Sequence, residues 1–334
     1  MDWGLIGHEW AVDLLAEHVA QGRERHAYLF TGPQGVGRQT LAIRLAQALN
    51  CLQPPAPSQP CRKCSACKRI ERLQHPDLVV VQAEGEGGTL KVEQVRDLQH
   101  SLSLAPYEAR YRVALLLRFE EAHPSAANAL LKTLEEPPAQ VVLMLTARSV
   151  ESLLPTIVSR CEVLRLRPLS VDNVAQGLHD LFGLPSEEAE KLAHISDGRP
   201  GYAVRLHQHP ELLEQRQAWL DELVQLLSAN RRERFTFARA VVEEKERLRE
   251  LLQVWLTFWR DVLLCAGGIS GPFTNPVYSS QIELLAADQG LDQAQMIVSS
   301  VEHTLELIDL NINSRLAFEV LLMDFPCIKS STPA

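Results

Sequence analysis

Over the first 165 residues the apolar positions follow two alternating rhythms. HAYLF (26–30), LVVVQ (78–82), RVALLL (112–117), VVLMLT (141–146) and CEVLRL (161–166) are short, nearly unbroken apolar runs. Their length and continuity predict strands buried on both faces. Between them lie TLAIRLAQAL (40–49), KVEQVRDLQHSLSL (91–104) and SAANALLKTLEE (125–136), with apolar residues at helical spacing. Ahead of the first run, HEWAVDLLAEHVAQG (8–22) predicts a helix with Trp10, Leu14, Leu15 and Val19 near one face. Strands alternating with helices predict an α/β domain with a mainly parallel sheet covered on both sides.

After Pro168 the strand rhythm stops. SVDNVAQGLHDLFG (170–183) and PSEEAEKLAHISDG (185–198) predict two helices of a small helical unit, closed by the turn DGRPG (197–201). From about residue 210 the pattern is helical throughout. In ELLEQRQAWLDELVQLL, Leu212, Leu213, Trp219, Leu220, Leu223, Leu226 and Leu227 form one apolar stripe, expected to pack as a helix bundle. Three domains follow, at 1–167, 168–208 and 209–334.

Composition narrows the function classes. The 334 residues are 46% hydrophobic and 22% charged, with a net charge of −9 and a pI near 5.7. That balance argues against gripping nucleic acid through the overall field of the chain. MDWGLIGHEW lacks the basic and apolar regions of a secretory signal. LLQVWLTFW stops at Arg260 and Asp261, short of a membrane span. A cytoplasmic, reducing location is expected, where seven cysteines serve as metal ligands or free thiols rather than disulfides.

Four of them, Cys51, Cys61, Cys64 and Cys67, form C-x9-C-x2-C-x2-C. Two-residue spacers let neighbouring thiolates converge on one ion, and four complete a tetrahedral zinc shell. The proline-rich PPAPSQP (54–60) would then be the loop of an inserted zinc module at 51–67. An iron–sulfur cluster fits less well, because no cysteine stands three residues after Cys67. His75 is a conceivable substitute ligand. No nearby group offers itself as a general base, so a structural zinc is expected.

TGPQGVGRQTL (31–41) follows a predicted strand and opens a predicted helix, the context of a phosphate-binding loop. Gly32, Gly35 and Gly37 keep its backbone pattern. Arg38 stands at the lysine position and Gln39 at the Ser/Thr position, while the hydroxyl of Thr40 lies one residue late, about 100° round the helix. The third strand ends in Leu117 and Arg118, where an acidic pair would handle magnesium. Glu120 and Glu121 fall in the following turn. Weak phosphate binding at the helix N-terminus remains open; ATP hydrolysis is not expected. His26 is expected to form a structural hydrogen bond.

The chain as a whole resembles the bacterial clamp-loader subunits of the AAA+ class, components of the DNA polymerase III holoenzyme. The residues that carry the likeness are HAYLFTGPQGVGRQT, the four-cysteine insertion, AANALLKTLEEPP (126–138), SRC (159–161) and NINSRLAFE (311–319). The resemblance implies a P-loop-like AAA+ domain, a helical lid and a helical collar that assembles into a pentamer. It places Leu117 and Arg118 where the ATP-hydrolysing gamma/tau members carry acidic residues, and Gly201 where those motors have a phosphate-sensing arginine. It implies gamma/tau and delta subunits as partners, with the sliding clamp and primed DNA reached through the complex. It also makes Arg160 a finger that reaches a neighbour's ATP, since a forked, permanently charged guanidinium suits charge spreading over phosphate oxygens. Without the resemblance, Arg160 reads first as half of an ion pair at a strand edge, NALLKTLEEPP as a helix stopped by Pro137 and Pro138, and NINSRLAFE as a packed helix start. Two rivals stand beside the non-hydrolysing subunit: an active gamma/tau-like ATPase using Arg38 for lysine, and a zinc-dependent nucleic-acid-binding module.

Overall fold

The computed structural model describes residues 3–85, 88–242, 245–269, 271, 273–309 and 312–327. The chain forms two compact units, residues 1–204 and 205–334.

In the first unit all five apolar runs become strands: β1 (Ala27–Thr31), β2 (Leu78–Val81), β3 (Arg112–Leu116), β4 (Val141–Ala147) and β5 (Glu162–Arg165). They form one sheet in the order β2-β3-β4-β1-β5, with every pairing parallel. Side chains alternate between its faces, as the pleat requires. Tyr28, Phe30, Val113, Leu115, Val142 and Met144 enter one core. Ala27, Leu29, Ala114, Leu116, Leu143 and Leu145 enter the other.

The first face is covered by α1 (Glu9–Gln21), α2 (Arg38–Asn50) and the short α3 (Ser65–Glu71). The second is covered by α4 (Val92–Leu102), α5 (Pro124–Glu135) and the one-turn α6 (Pro155–Val158). The buried stripe of α1 is Ala11, Val12, Leu15 and Ala16, whereas Trp10 is 51% exposed. Of the predicted face, Leu15 is buried and Leu14 and Val19 pack against the same core, so Trp10 alone departs from it. Small alanines let α1 lie close to its neighbours, and the large Trp10 falls on the outer flank.

The predicted lid helices are α7 (Val171–Phe182) and α8 (Ser186–Ser196), followed by α9 (Pro200–Gln208). Asp197 and Gly198 between α8 and α9 both have positive φ, 51° and 69°, which makes the turn read from DGRPG.

The second unit is helical among its described residues: α10 (Pro210–Ser228), α11 (Arg231–Val241), α12 (Lys245–Ala266), α13 (Ser279–Asp309), broken at Gly290, and α14 (Ser314–Asp324). Trp219, Leu220, Leu223, Leu226 and Leu227 of α10 join a core with Trp255, Phe258, Trp259 and Phe318. Leu212 and Leu213, at the start of the predicted stripe, are only half-buried. Asn313 caps α14 by accepting the Leu316 N–H at 3.1 Å. Asn311, the first residue of NINSRLAFE, lies outside the described residues. No described helix is long and apolar enough to cross a membrane.

Candidate functional site

The glycine loop leaves the C-terminal end of β1, beside β4, where the strand order reverses. Crevices at such a switch point are the usual ligand positions of open parallel sheets. Gly32, Gly35 and Gly37 all have positive φ, at 145°, 82° and 110°, so the backbone makes the turns of a phosphate loop. His8, buried, hydrogen-bonds the Val36 carbonyl through Nε2 at 2.9 Å. Burial pulls its pKa down despite that bond, and the neutral ring supports the loop from below.

The side chains at the loop carry different chemistry from a magnesium site. Arg38 is 9% exposed, and its Nη1 has no hydrogen-bond partner. Burial pulls its pKa below the usual range; Glu120 supports its charge, while Arg148 and Arg118 oppose it. Gln39 and Thr40 are exposed. Leu117 is buried, and Arg118 adopts φ 49°, donates its N–H to Thr146 Oγ1 at 2.9 Å and pairs with Glu121 at 3.3 Å. Glu120, in the single turn Phe119–Glu121, faces Arg148 at 3.6 Å. The guanidiniums of Arg38, Arg118 and Arg148 therefore share this site with the carboxylates of Glu120 and Glu121.

The start of α9 touches the loop directly. The Gly201 and Tyr202 N–H groups donate to the Gly35 carbonyl at 2.7 and 3.3 Å. A Cβ on Gly201 would lie 2.9 Å from that oxygen, and one on Gly35 would lie 2.9 Å from Tyr202 Cβ. A side chain of any size at either position would force the two segments apart. Glycine at 201 is thus a packing requirement.

The four cysteine sulfurs of Cys51, Cys61, Cys64 and Cys67 lie within 4.8 Å of one another, and Cys61 Sγ is 4.0 Å from Cys67 Sγ. Four thiolates at about 2.3 Å from a tetrahedral zinc stand about 3.8 Å apart, so the set fits that ion with small adjustment. Backbone N–H groups of Cys61, Cys64 and Cys67 point at the sulfurs of Cys51, Cys61 and Cys64, at 3.3, 3.3 and 3.4 Å. Donors aimed at sulfur favour thiolates, but burial outweighs them at Cys51 and pushes both the Cys51 and Cys67 thiols up. Burial pushes the Cys61 thiol up, but the N–H groups of Lys63 and Cys64 outweigh it and bring it down to about 6. His75 is turned elsewhere: its Nδ1 accepts the Asp77 N–H at 3.1 Å, and its Nε2 faces Glu108 at 3.5 Å.

Polar networks that were not visible in the sequence tie this module to the sheet. From α2, Gln47 donates to the Cys67 carbonyl and to Glu71, both at 2.8 Å, and buried Arg44 pairs with Glu71. Asn50 exchanges two hydrogen bonds with the Tyr111 backbone. Buried Asp77 accepts the N–H groups of Tyr107, Glu108 and Ala109 at 2.6, 2.9 and 2.9 Å. His26 departs from its expected role: its Nε2 is buried with no hydrogen-bond partner.

Arg160 follows α6 and precedes β5, away from the glycine loop. Its Nη1 donates to the Thr156 carbonyl at 2.9 Å and its Nη2 to Glu135 at 2.8 Å. Its side chain remains 35% exposed. The strand-edge ion pair is therefore present, and the guanidinium still reaches solvent.

Two family descriptions match the chain: "DNA polymerase III, delta subunit" over residues 7–170 and "DNA polymerase III, delta subunit, C terminal" over 210–326. DNA polymerase III subunit delta' of Bacillus subtilis is 33% identical, over 75% of this chain and 75% of its own length. The chain belongs to the delta-prime family of DNA polymerase III subunits. The delta' subunit of Pseudomonas aeruginosa is 36% identical over 60% of this chain. The tau subunit of Salmonella typhimurium is 36% identical over 57% of it. The match spans 61% of that delta' subunit and 28% of the tau subunit, less than two thirds of either relative. The two family descriptions thus reach both units of the chain.

Proposed function

We propose that this delta-prime family member is a non-hydrolysing AAA+ subunit of a replicative clamp loader. It completes a pentamer with gamma/tau and delta subunits and offers Arg160 to the ATP of a neighbouring motor subunit. Through that assembly it helps place the sliding clamp on primed DNA in the cytoplasm. Its domains are an α/β domain at 1–167, a lid at 168–208 and an oligomerising collar at 209–334. Cys51, Cys61, Cys64 and Cys67 hold a zinc ion that staples the 51–67 insertion.

One contrast carries the reading. The glycine loop has its backbone but a buried Arg38, an apolar Leu117 and a cluster of guanidiniums in place of lysine, hydroxyl and acid. Arg160, by contrast, is held and solvent-accessible. Guanidiniums crowd the place where a magnesium ion would sit, whereas an arginine supplied in trans is suited to stabilising the charge of phosphoryl transfer.

The test is reconstitution with motor and delta subunits, comparing the wild-type chain with Arg160→Ala. The variant should assemble but show weakened clamp-stimulated ATP turnover; unchanged turnover removes the assignment. The 36% identity to a tau subunit favours one second reading, an active gamma/tau-like ATPase. ATP hydrolysis by the isolated chain, abolished by a change at Gly37, would establish it instead.

A further inference from the structure

An open cavity of about 490 Å³ lies beside Arg160, with Arg25, His26, Leu134, Glu135, Ser159 and Glu162 in its walls. Glu135 is the last residue of α5. A carboxylate there meets the negative end of the helix dipole, which costs helix stability unless a cation answers it. Arg160 is that cation: Glu135 Oε1 accepts from its Nη2 at 2.8 Å. Pro137 and Pro138 follow within three residues and prevent the helix from continuing, which keeps the carboxylate at this place.

The second anchor comes from a different element. Arg160 Nη1 donates to the carbonyl of Thr156 in α6 at 2.9 Å, with a longer contact to Ser159 Oγ at 3.4 Å. A guanidinium carries five N–H donors in a rigid fork. Engaging one on each terminal nitrogen from two elements fixes its plane and leaves other donors for a phosphate oxygen.

We infer that Glu135 is a positioning residue for Arg160: it orients the guanidinium toward the neighbour's phosphate without touching ATP itself. This inference rests on the reading of Arg160 as a group acting in trans. Losing one of two anchors frees the fork to sample orientations that miss the phosphate, an effect on turnover more than on nucleotide binding.

The experiment uses the full chain in the reconstituted complex and measures ATP turnover with Glu135→Ala, Glu135→Gln, Arg160→Ala and the double alanine variant. Glu135→Ala should lower kcat by about 10- to 100-fold, the scale of misplacing a reacting group, with the KM for ATP nearly unchanged. Glu135→Gln keeps the hydrogen bond and should recover most of the loss. The double variant should be no slower than Arg160→Ala alone, because the two residues act as one unit. Wild-type turnover with Glu135→Ala beside a collapse with Arg160→Ala overturns the positioning role and leaves the trans reading standing. A Glu135→Ala loss that adds in full to that of Arg160→Ala also overturns it. If Arg160→Ala itself changes nothing, the trans reading fails, and the positioning role with it.

Discussion

Arg38 illustrates how a single side chain alters a loop whose backbone is kept. Its guanidinium is planar and bulkier than an ammonium, and it lies buried at the N-terminus of α2 with Nη1 unpartnered. Elsewhere, single residues hold whole segments through distant backbone groups. Arg234, 5% exposed, donates to the carbonyls of Leu226, Leu322, Phe325 and Pro326. Arg234→Ala would take this donor from the buried Leu322 and Phe325 carbonyls and should cost about 2–4 kcal/mol in denaturant unfolding. Asp77 is a pH-dependent case. Burial pushes its carboxyl up, but the N–H groups of Glu108, Tyr107 and Ala109 outweigh burial and leave its pKa below the ordinary value. A depressed folded pKa means that its stabilisation is complete above the unfolded value near about 3.9 and is lost as pH falls through the folded value. Asp77→Asn should therefore lower the unfolding midpoint at pH 7 and lose most of that difference in strongly acidic solution. Neither residue was legible in the sequence, since the partners of Arg234 and Asp77 stand up to 92 and 32 positions away. The cysteine cluster was legible because its short spacings mark it.

At the scale of elements, the five strands could be read because runs buried on both faces leave an unbroken apolar signature. The face of α1 could be read only in part, because alanines share its packing with Leu15 while Trp10 is exposed. The contact between α9 and the glycine loop was equally hidden. Nothing in GRPGYAV announces that the Gly35 carbonyl will receive two N–H groups, at 2.7 and 3.3 Å. Gly201→Ala would push a methyl group against a backbone oxygen 2.9 Å away, and should cost about 1–3 kcal/mol, the usual scale of overpacking. Hydrogen exchange at Gly35–Val36 and in the first turn of α9 should rise together. For the 51–67 insertion, zinc analysis should find one ion per chain. Cys61→Ser or chelation should lower the melting temperature, because Gln47 and Arg44 would then brace a module without its central crosslink. A chain purified without metal that melts at the same temperature as the metal-loaded chain would contradict the stapling role.

For the molecule as a whole, sequence and structure agree on a parallel α/β sheet covered by helices toward the N-terminus and a helical region toward the C-terminus. The family matches reach into both. The central claim is that the chemistry this chain offers lies at Arg160, in another subunit's site, and not at its own glycine loop. Clamp-stimulated ATP turnover of the reconstituted complex tests this most directly, with Arg160→Ala and Arg38→Ala chains measured side by side. Arg160→Ala should reduce turnover, by up to about 10³-fold per affected site on the scale of trans-acting arginines, while Arg38→Ala leaves it near the wild-type rate. The reverse pattern, a loss with Arg38→Ala and none with Arg160→Ala, would contradict the account.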